Sequence, residues 1–301
     1  MFLFEVEYLV PADAAVPSPQ ELHREVEAIS QHVEFSEGGA RGALWSAEYS
    51  NPETLVTFTF ICSPPAQEVI DCDGATASPS GLRALIPCTC PTFVARESLP
   101  IVVKLATRGC YWLRISVGKI IKRPNTSHLL TEWTEINRQT CRQARLEGNL
   151  YSLPLEQTDG LWHYANARQQ LIKRYASLSL AVPRISLLRD KNARDQVYRT
   201  IFWTEQGPTV IPGIDALILS KPGRLLFGRF PIGEPENVVV RLEDIQDLLS
   251  PHWRSADRPF THLVLEDPSP LRLPLMRRLI ELQPPKYTNF ETVPFQEIVD
   301  A

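Results

Sequence analysis

Leu44-Trp-Ser-Ala-Glu-Tyr-Ser-Asn-Pro-Glu-Thr-Leu-Val-Thr-Phe-Thr-Phe-Ile61 is the stretch whose reading decides the fold. Two segments, Leu44 to Ser50 and Leu55 to Ile61, alternate aromatic or β-branched residues with polar ones on either side of Asn51-Pro-Glu-Thr54. Alternation at period two, bounded by an Asn-Pro turn, predicts a β-hairpin with one buried face. Trp45, Ala47 and Tyr49 then share a face of the first strand, and Val56, Phe58 and Phe60 a face of the second.

Outward from the hairpin, Phe2 to Val10 alternates as a strand. Ser18-Pro-Gln-Glu21 supplies an N-cap, a proline at the first helical position and a capping-box glutamate ahead of Leu22, Val26 and Ile29. Ser63 to Ser80, rich in proline, serine and small residues, reads as a loop. Gly81 to Cys90 is expected as a strand, Phe93 to Thr107 as a helix interrupted by Pro100, and Cys110 to Val117 as a strand. A helix opens at Thr126 or Ser127 with Leu130, Trp133, Ile136 or Asn137, Cys141 and Ala144 on one stripe and Arg138, Arg142 and Arg145 opposite. Another covers Leu155 to Ala176 through Leu161, Trp162, Ala165, Ile172 and Tyr175. Strands are then expected at Ile185 to Leu188, Val197 to Trp203, Ala216 to Leu219, Leu225 to Phe230 and Val238 to Arg241, with helices at Glu243 to Leu249 and Leu271 to Leu282. The pattern predicts an α+β protein with mixed, largely antiparallel sheets flanked by helices. Two closely packed parts, 1–150 and 151–301, are expected to divide near Gly148 to Pro154, the second strand-rich from about residue 184.

With 301 residues, 44% of them hydrophobic and 22% charged, the chain has the composition of a globular protein. Its 26 prolines stiffen loops and end helices. Met1-Phe-Leu-Phe-Glu-Val-Glu7 places acids where a secretory signal has bases, and no apolar run reaches the roughly 18 residues of a membrane span. A cytoplasmic protein is expected, whose six cysteines are reduced and serve mostly as small buried hydrophobes. The net charge of -4 is unevenly spread: residues 1–60 hold ten acids and two bases, residues 101–200 seventeen bases and seven acids. Such asymmetry fits an acidic surface that captures a basic partner, a basic surface that meets phosphate, or two regions that face each other within the fold.

No complete catalytic, nucleotide or metal signature is present. Cys88-Thr-Cys90 has zinc-binding chemistry but lacks the second ligand pair of a structural site. Asp71-Cys-Asp73-Gly74 resembles the start of a calcium loop, yet its twelfth position is Leu82 instead of an acid; a solvated turn is expected. Ser116-Val-Gly-Lys119 has the serine-lysine spacing of some acyl-transfer enzymes without their accompanying elements, Lys221-Pro-Gly223 being the nearest approach. Gly38-Gly-Ala-Arg-Gly42 has neither the spacing nor the lysine of a phosphate loop. Trp112, Trp133, Trp162 and Tyr164 lie among arginines, where stacking on nucleic acid competes with core packing, and core packing is the stronger reading. No metal and no cofactor is expected.

The segment Glu48-Tyr-Ser-Asn-Pro-Glu-Thr-Leu-Val-Thr-Phe-Thr-Phe60 resembles one found in uncharacterised bacterial proteins of similar length that look like immunity proteins of polymorphic or contact-delivered toxin systems. Pro91-Thr-Phe93 with Glu97, Trp133-x-x-x-Asn137, Arg189-Asp-Lys191 and Phe202-Trp-Thr204 extend the similarity. Leu55 stands where those proteins usually have glycine, which alters the turn. The resemblance implies a protein that binds and neutralises a cognate toxin, and it brings no catalytic residues with it. Glu34, Glu37, Asp71 and Asp73 are the candidate partner-binding acids. The competing classes are an enzyme assembled from distant residues, with His128, Glu132, Glu135 and His163 as its candidate group, and an adaptor that loads effectors onto a secretion apparatus.

Overall fold

The computed structural model describes residues 2–37, 42–72, 74–146, 150–193, 196–226 and 230–300. The protein is α+β with largely antiparallel sheets. It divides into two compact units, Met1–Leu150 with Gln296–Asp300, and Tyr151–Phe295.

In the first unit the chain runs β1 (Leu3–Pro11), α1 (Pro19–Glu27), β2 (Val33–Glu37), β3 (Trp45–Ser50), β4 (Thr57–Cys62), β5 (Ile70–Cys72), β6 (Ala75–Pro87), α2 (Thr92–Arg108), β7 (Trp112–Ile115), β8 (Ile120–Ile121) and α3 (Thr126–Leu146). Its strands make an eight-stranded sheet in the order β2-β3-β4-β6-β1-β7-β8, with β5 beside one end of β6. The hairpin forms in register from Trp45 opposite Cys62 to Ser50 opposite Thr57. Trp45, Ala47, Tyr49, Phe58 and Phe60 are buried on one face, together with Phe4, Val6 and Tyr8 of β1.

Helices α1 and α2 cover that face. The Trp45 indole N–H donates to Pro19 O at 3.1 Å, and the Tyr8 hydroxyl to Val102 O at 3.3 Å. The capping box at Ser18 and Glu21 forms as the sequence predicts, and Leu22 and Val26 are buried. In α3 the buried positions are Leu129, Trp133 and Cys141, so the stripe enters at Leu129 and not at Leu130.

Ser63 to Ser80, expected as a loop, contains β5 and the first half of β6. Pairing decides this where side-chain pattern does not: Ala75 to Ala77 bond to β5, and Ala77 to Pro79 bond to Pro11 to Leu9 of β1. Gly81 follows with φ +85°, and a Cβ there would lie 2.2 Å from Ser63 O, so only glycine lets the strand pass. β6 ends at Pro87, leaving Cys88 and Cys90 in the bend before α2 and not in a strand.

The second unit holds β9 (Tyr151–Leu153), α4 (Leu155–Tyr175), β10 (Ser186–Asp190), β11 (Val197–Phe202), β12 (Thr209–Ile211), β13 (Ala216–Lys221), β14 (Arg224–Leu226), β15 (Phe230–Ile232), β16 (Glu236–Arg241), α5 (Gln246–Leu249), β17 (Arg254–Ala256), β18 (His262–Leu265), α6 (Arg272–Leu282) and β19 (Phe290–Thr292). A final strand, β20 (Ile298–Asp300), belongs to the first unit. The main sheet runs β16-β13-β11-β10-β19, and its β11–β13 pair is parallel. Leu217, Leu219, Val238 and Val240 pack with Leu275 and Leu279 of α6 in one core. The stretch Leu225 to Phe230, expected as one strand, is divided between β14 and β15, which pair with each other. On α4 the buried stripe is Leu161, Tyr164, Leu171 and Tyr175, while Ile172 is exposed.

Candidate protein-binding face

The polar residues of the hairpin turn and of the segments packed around it hold the fold together. Glu97 Oε1, on α2, accepts from the Tyr49 hydroxyl at 2.9 Å, Asn51 Nδ2 at 2.8 Å and Thr54 Oγ1 at 2.9 Å. One carboxylate oxygen thus clamps the hairpin turn to the helix. Burial, and then the Glu97 charge, push the Tyr49 phenol well above its ordinary range, so it stays a donor. Trp133 Nε1 donates to Pro87 O, and Asn137 Nδ2 bridges Cys88 O and Cys90 O at 2.8 and 2.9 Å, which fixes the bend into α2. The Asp300 carboxylate accepts from Thr92 N at 2.8 Å and caps α2, whose N-cap Pro91 offers no side-chain acceptor. In the second unit Arg189 lies over the Tyr151 ring and pairs with Glu291, and Trp203 Nε1 donates to Gly207 O.

The residues with catalytic or metal-binding chemistry are engaged elsewhere. Burial pushes the Cys88 thiol up to about 12, with Cys141 adding to it, and raises Cys90 and Cys141 as well. These are neutral thiols, not ready thiolate ligands. Among the described residues no group of three or more His, Cys, Asp and Glu is placed to hold a metal ion. Ser116 and Lys119 do not meet: Ser116 Oγ accepts from Glu5 N at 2.7 Å, while Lys119 Nζ pairs with Glu132 at 2.5 Å. His128 Nε2 lies 3.5 Å from Glu132, but Glu135 turns to Arg138 and Gln139 on the helix surface, so the three do not converge. His163 lies on α4 beside Trp162. Trp133 and Tyr164 are core residues, and Lys122 covers the Trp112 ring at 5.1 Å.

What the first unit presents outward is the other face of its sheet. Because side chains alternate, Glu34 and Ser36 of β2, Ser46 and Glu48 of β3, Thr59 of β4, Arg83 of β6, Glu5 and Glu7 of β1 and Arg114 of β7 share it. Arg83 pairs with Glu5 at 2.9 Å, and Arg114 with Glu7 at 2.6 Å and with Glu68 at 3.4 Å. A groove of about 520 Å³ runs over these pairs, bounded by Ser63 and Pro64. Toward the sheet edge the balance changes. Glu34 lies directly opposite Glu48, both are exposed, and among the described residues no base pairs with either.

Of the sequence-derived acids, Glu34 therefore sits on the edge strand of this face. Asp71 is exposed on β5, along a different stretch of β6 from the one that pairs with β4, and is not brought to Glu34. Asp73 and the Glu37 side chain, like residues 38–41 of the glycine-rich stretch, lie outside the described residues. Sequence reasoning missed Glu48, Glu5 and Glu7; their signal was the period-two pattern that places them opposite the buried aromatics. Among the described residues no helix is long and apolar enough to cross a membrane. No family model, no curated protein and no solved structure matches the chain.

Proposed function

We propose that the protein is an immunity-type protein that acts in the bacterial cytoplasm by binding a cognate toxin through the polar face of its eight-stranded sheet. The observation that carries this reading is the Glu34–Glu48 pair. Two carboxylates placed opposite each other repel, and on a free surface they gain nothing for the fold. A basic partner that approaches them is steered by their field and relieves the repulsion when it docks. The groove over Glu5, Arg83, Glu7 and Arg114 offers both signs of charge a short distance along the same face. That the hairpin residues of the resemblance are occupied within the fold also supports a protein that works by its surface.

The test is affinity purification of the tagged protein from its native cells, joined to a protection assay in which the captured partner is expressed with and without it. A single stoichiometric partner that arrests growth alone and is silenced by co-expression is the expected result. Recovery of the protein alone, or a partner whose toxicity is unchanged, rejects the reading.

A further inference from the structure

Resting on the binding role proposed above, we infer that β2 is a docking edge on which an extended segment of the partner adds as a further strand, its basic side chains beside Glu34 and Glu48 and an apolar side chain in the pocket against α1. β2 is the terminal strand of the sheet and bonds only β3. Its ladder can be read residue by residue. Ser50 N donates to His32 O, and Asn51 N to Val56 O. In β3, then, residues 46, 48 and 50 bond toward β2, while 45, 47 and 49 bond toward β4. Glu34 and Ser36 accordingly bond inward, and the backbone groups of Val33 and Phe35 point away from β3, with no hydrogen-bond partner among the described residues. Free main-chain groups in this spacing are what an added strand pairs with.

The second observation is a pocket of about 600 Å³ lined by Pro19, Gln20, His23, Arg24, Leu44 and Trp45. It lies where β2 closes, at the level of Trp45, which faces Glu37 in register. Phe35 of β2 stacks on His23 at 3.7 Å and meets Trp45 edge-on, so the pocket continues the helix-side face of the edge strand. Leu44 at its rim is 45% exposed. The two faces of an added strand would thus meet opposite chemistry: carboxylates on one side, an apolar pocket on the other. An occupant that alternates basic and apolar residues satisfies both. A second copy of this chain does not, because its β2 would bring Glu34 against another acidic edge.

A displayed library of random peptides, panned on the intact protein, supplies the probe. Enriched peptides should alternate basic and apolar residues, slow hydrogen exchange at the Val33 and Phe35 amides, and lose at least about tenfold in affinity to two variants. Val33→Pro removes an outward N–H while leaving the bonds to β3, as edge strands tolerate; Glu34→Lys with Glu48→Lys reverses the charge. Circular dichroism and the melting curve show that each variant folds, and exchange on the wild-type protein stands by itself if one does not. Enrichment of nothing, peptides that bind Val33→Pro as well as wild type, or a dimer that this variant dissolves would each overturn the inference. A cognate partner captured by wild type and by Val33→Pro equally would sink the docking edge alone, whereas no partner in native cells would sink the binding role itself.

Discussion

Leu55 has φ 60°, the left-handed conformation that costs a branched-chain residue roughly 1–2 kcal/mol. Its N–H still closes the turn on Asn51 O, and its side chain is 44% exposed, so the strain is not repaid by burial. Glycine adopts this conformation without a Cβ penalty. Leu55→Gly should therefore stabilise the hairpin by about 0.5–1 kcal/mol, the relief of strain less the added freedom of the unfolded chain. Slower hydrogen exchange of the β3–β4 amides would register the gain, and faster exchange would contradict it. At Glu97 the sign is opposite. Glu97→Ala leaves the Tyr49, Asn51 and Thr54 donors without their shared acceptor and should cost about 3 kcal/mol; Glu97→Gln keeps Oε1 and should cost about 1. Equal losses in the two variants would mean that the charge, and not the acceptor, holds the turn.

Helix α4 and strand β18 meet through a buried pair that ties unit stability to pH. His262 Nδ1 lies 2.7 Å from Phe260 O, which can only accept, so this nitrogen carries the proton and Nε2 accepts from the Tyr175 hydroxyl at 2.8 Å. The bonded form is the neutral imidazole, and burial lowers the His262 pKa from its ordinary value near 6.5. The unfolded chain then binds the proton more readily than the folded one. Stability is complete above about pH 6.5 and declines as pH falls toward the folded-state pKa. Acid-side exchange of the β17–β18 amides should steepen in the wild type and flatten in His262→Gln. The Tyr175–His262 bond was not legible in the sequence, because partners 87 residues apart leave no local pattern. Long alternation and a capping box were legible: the hairpin, β1 and α1 follow from them directly. The Pro- and Ser-rich run before Gly81 hid β5 and half of β6, whose existence depends on partners on both sides. Three-residue strands such as β12 and β17 are too short to show a period. β2, five residues long, carries too short a pattern to stand out in the sequence, so of the candidate face the sequence points to Glu34 alone, without the neighbour that gives it meaning.

Across the whole molecule, part of the charge asymmetry of the sequence is met by pairs between distant segments. In the first unit the acids of residues 1–60 find bases farther along the chain, Glu5 with Arg83 and Glu7 with Arg114, and the Tyr111 hydroxyl donates to Glu25. The second unit pairs its own groups, Arg199 with Asp215 and Arg189 with Glu291. Facing regions within a fold, one of the three readings the composition allowed, account for the Glu7–Arg114 pair, which joins the acidic first sixty residues to the basic middle of the chain. Glu34 and Glu48 stand apart from this pairing, and a fold selected for stability alone would have no use for two acids opposite each other at a sheet edge. If they are kept for a partner, removing their charge should improve the fold while impairing the binding. Glu34→Gln with Glu48→Gln should slow hydrogen exchange of the β2–β3 amides at low salt, and the difference from wild type should close near 1 M, where screening falls to about 3 Å. The same variant should associate more slowly with the cognate protein, with a shallower dependence on ionic strength. Slower exchange with undiminished association would leave the pair without a function; faster exchange would mean that the two carboxylates already serve the fold.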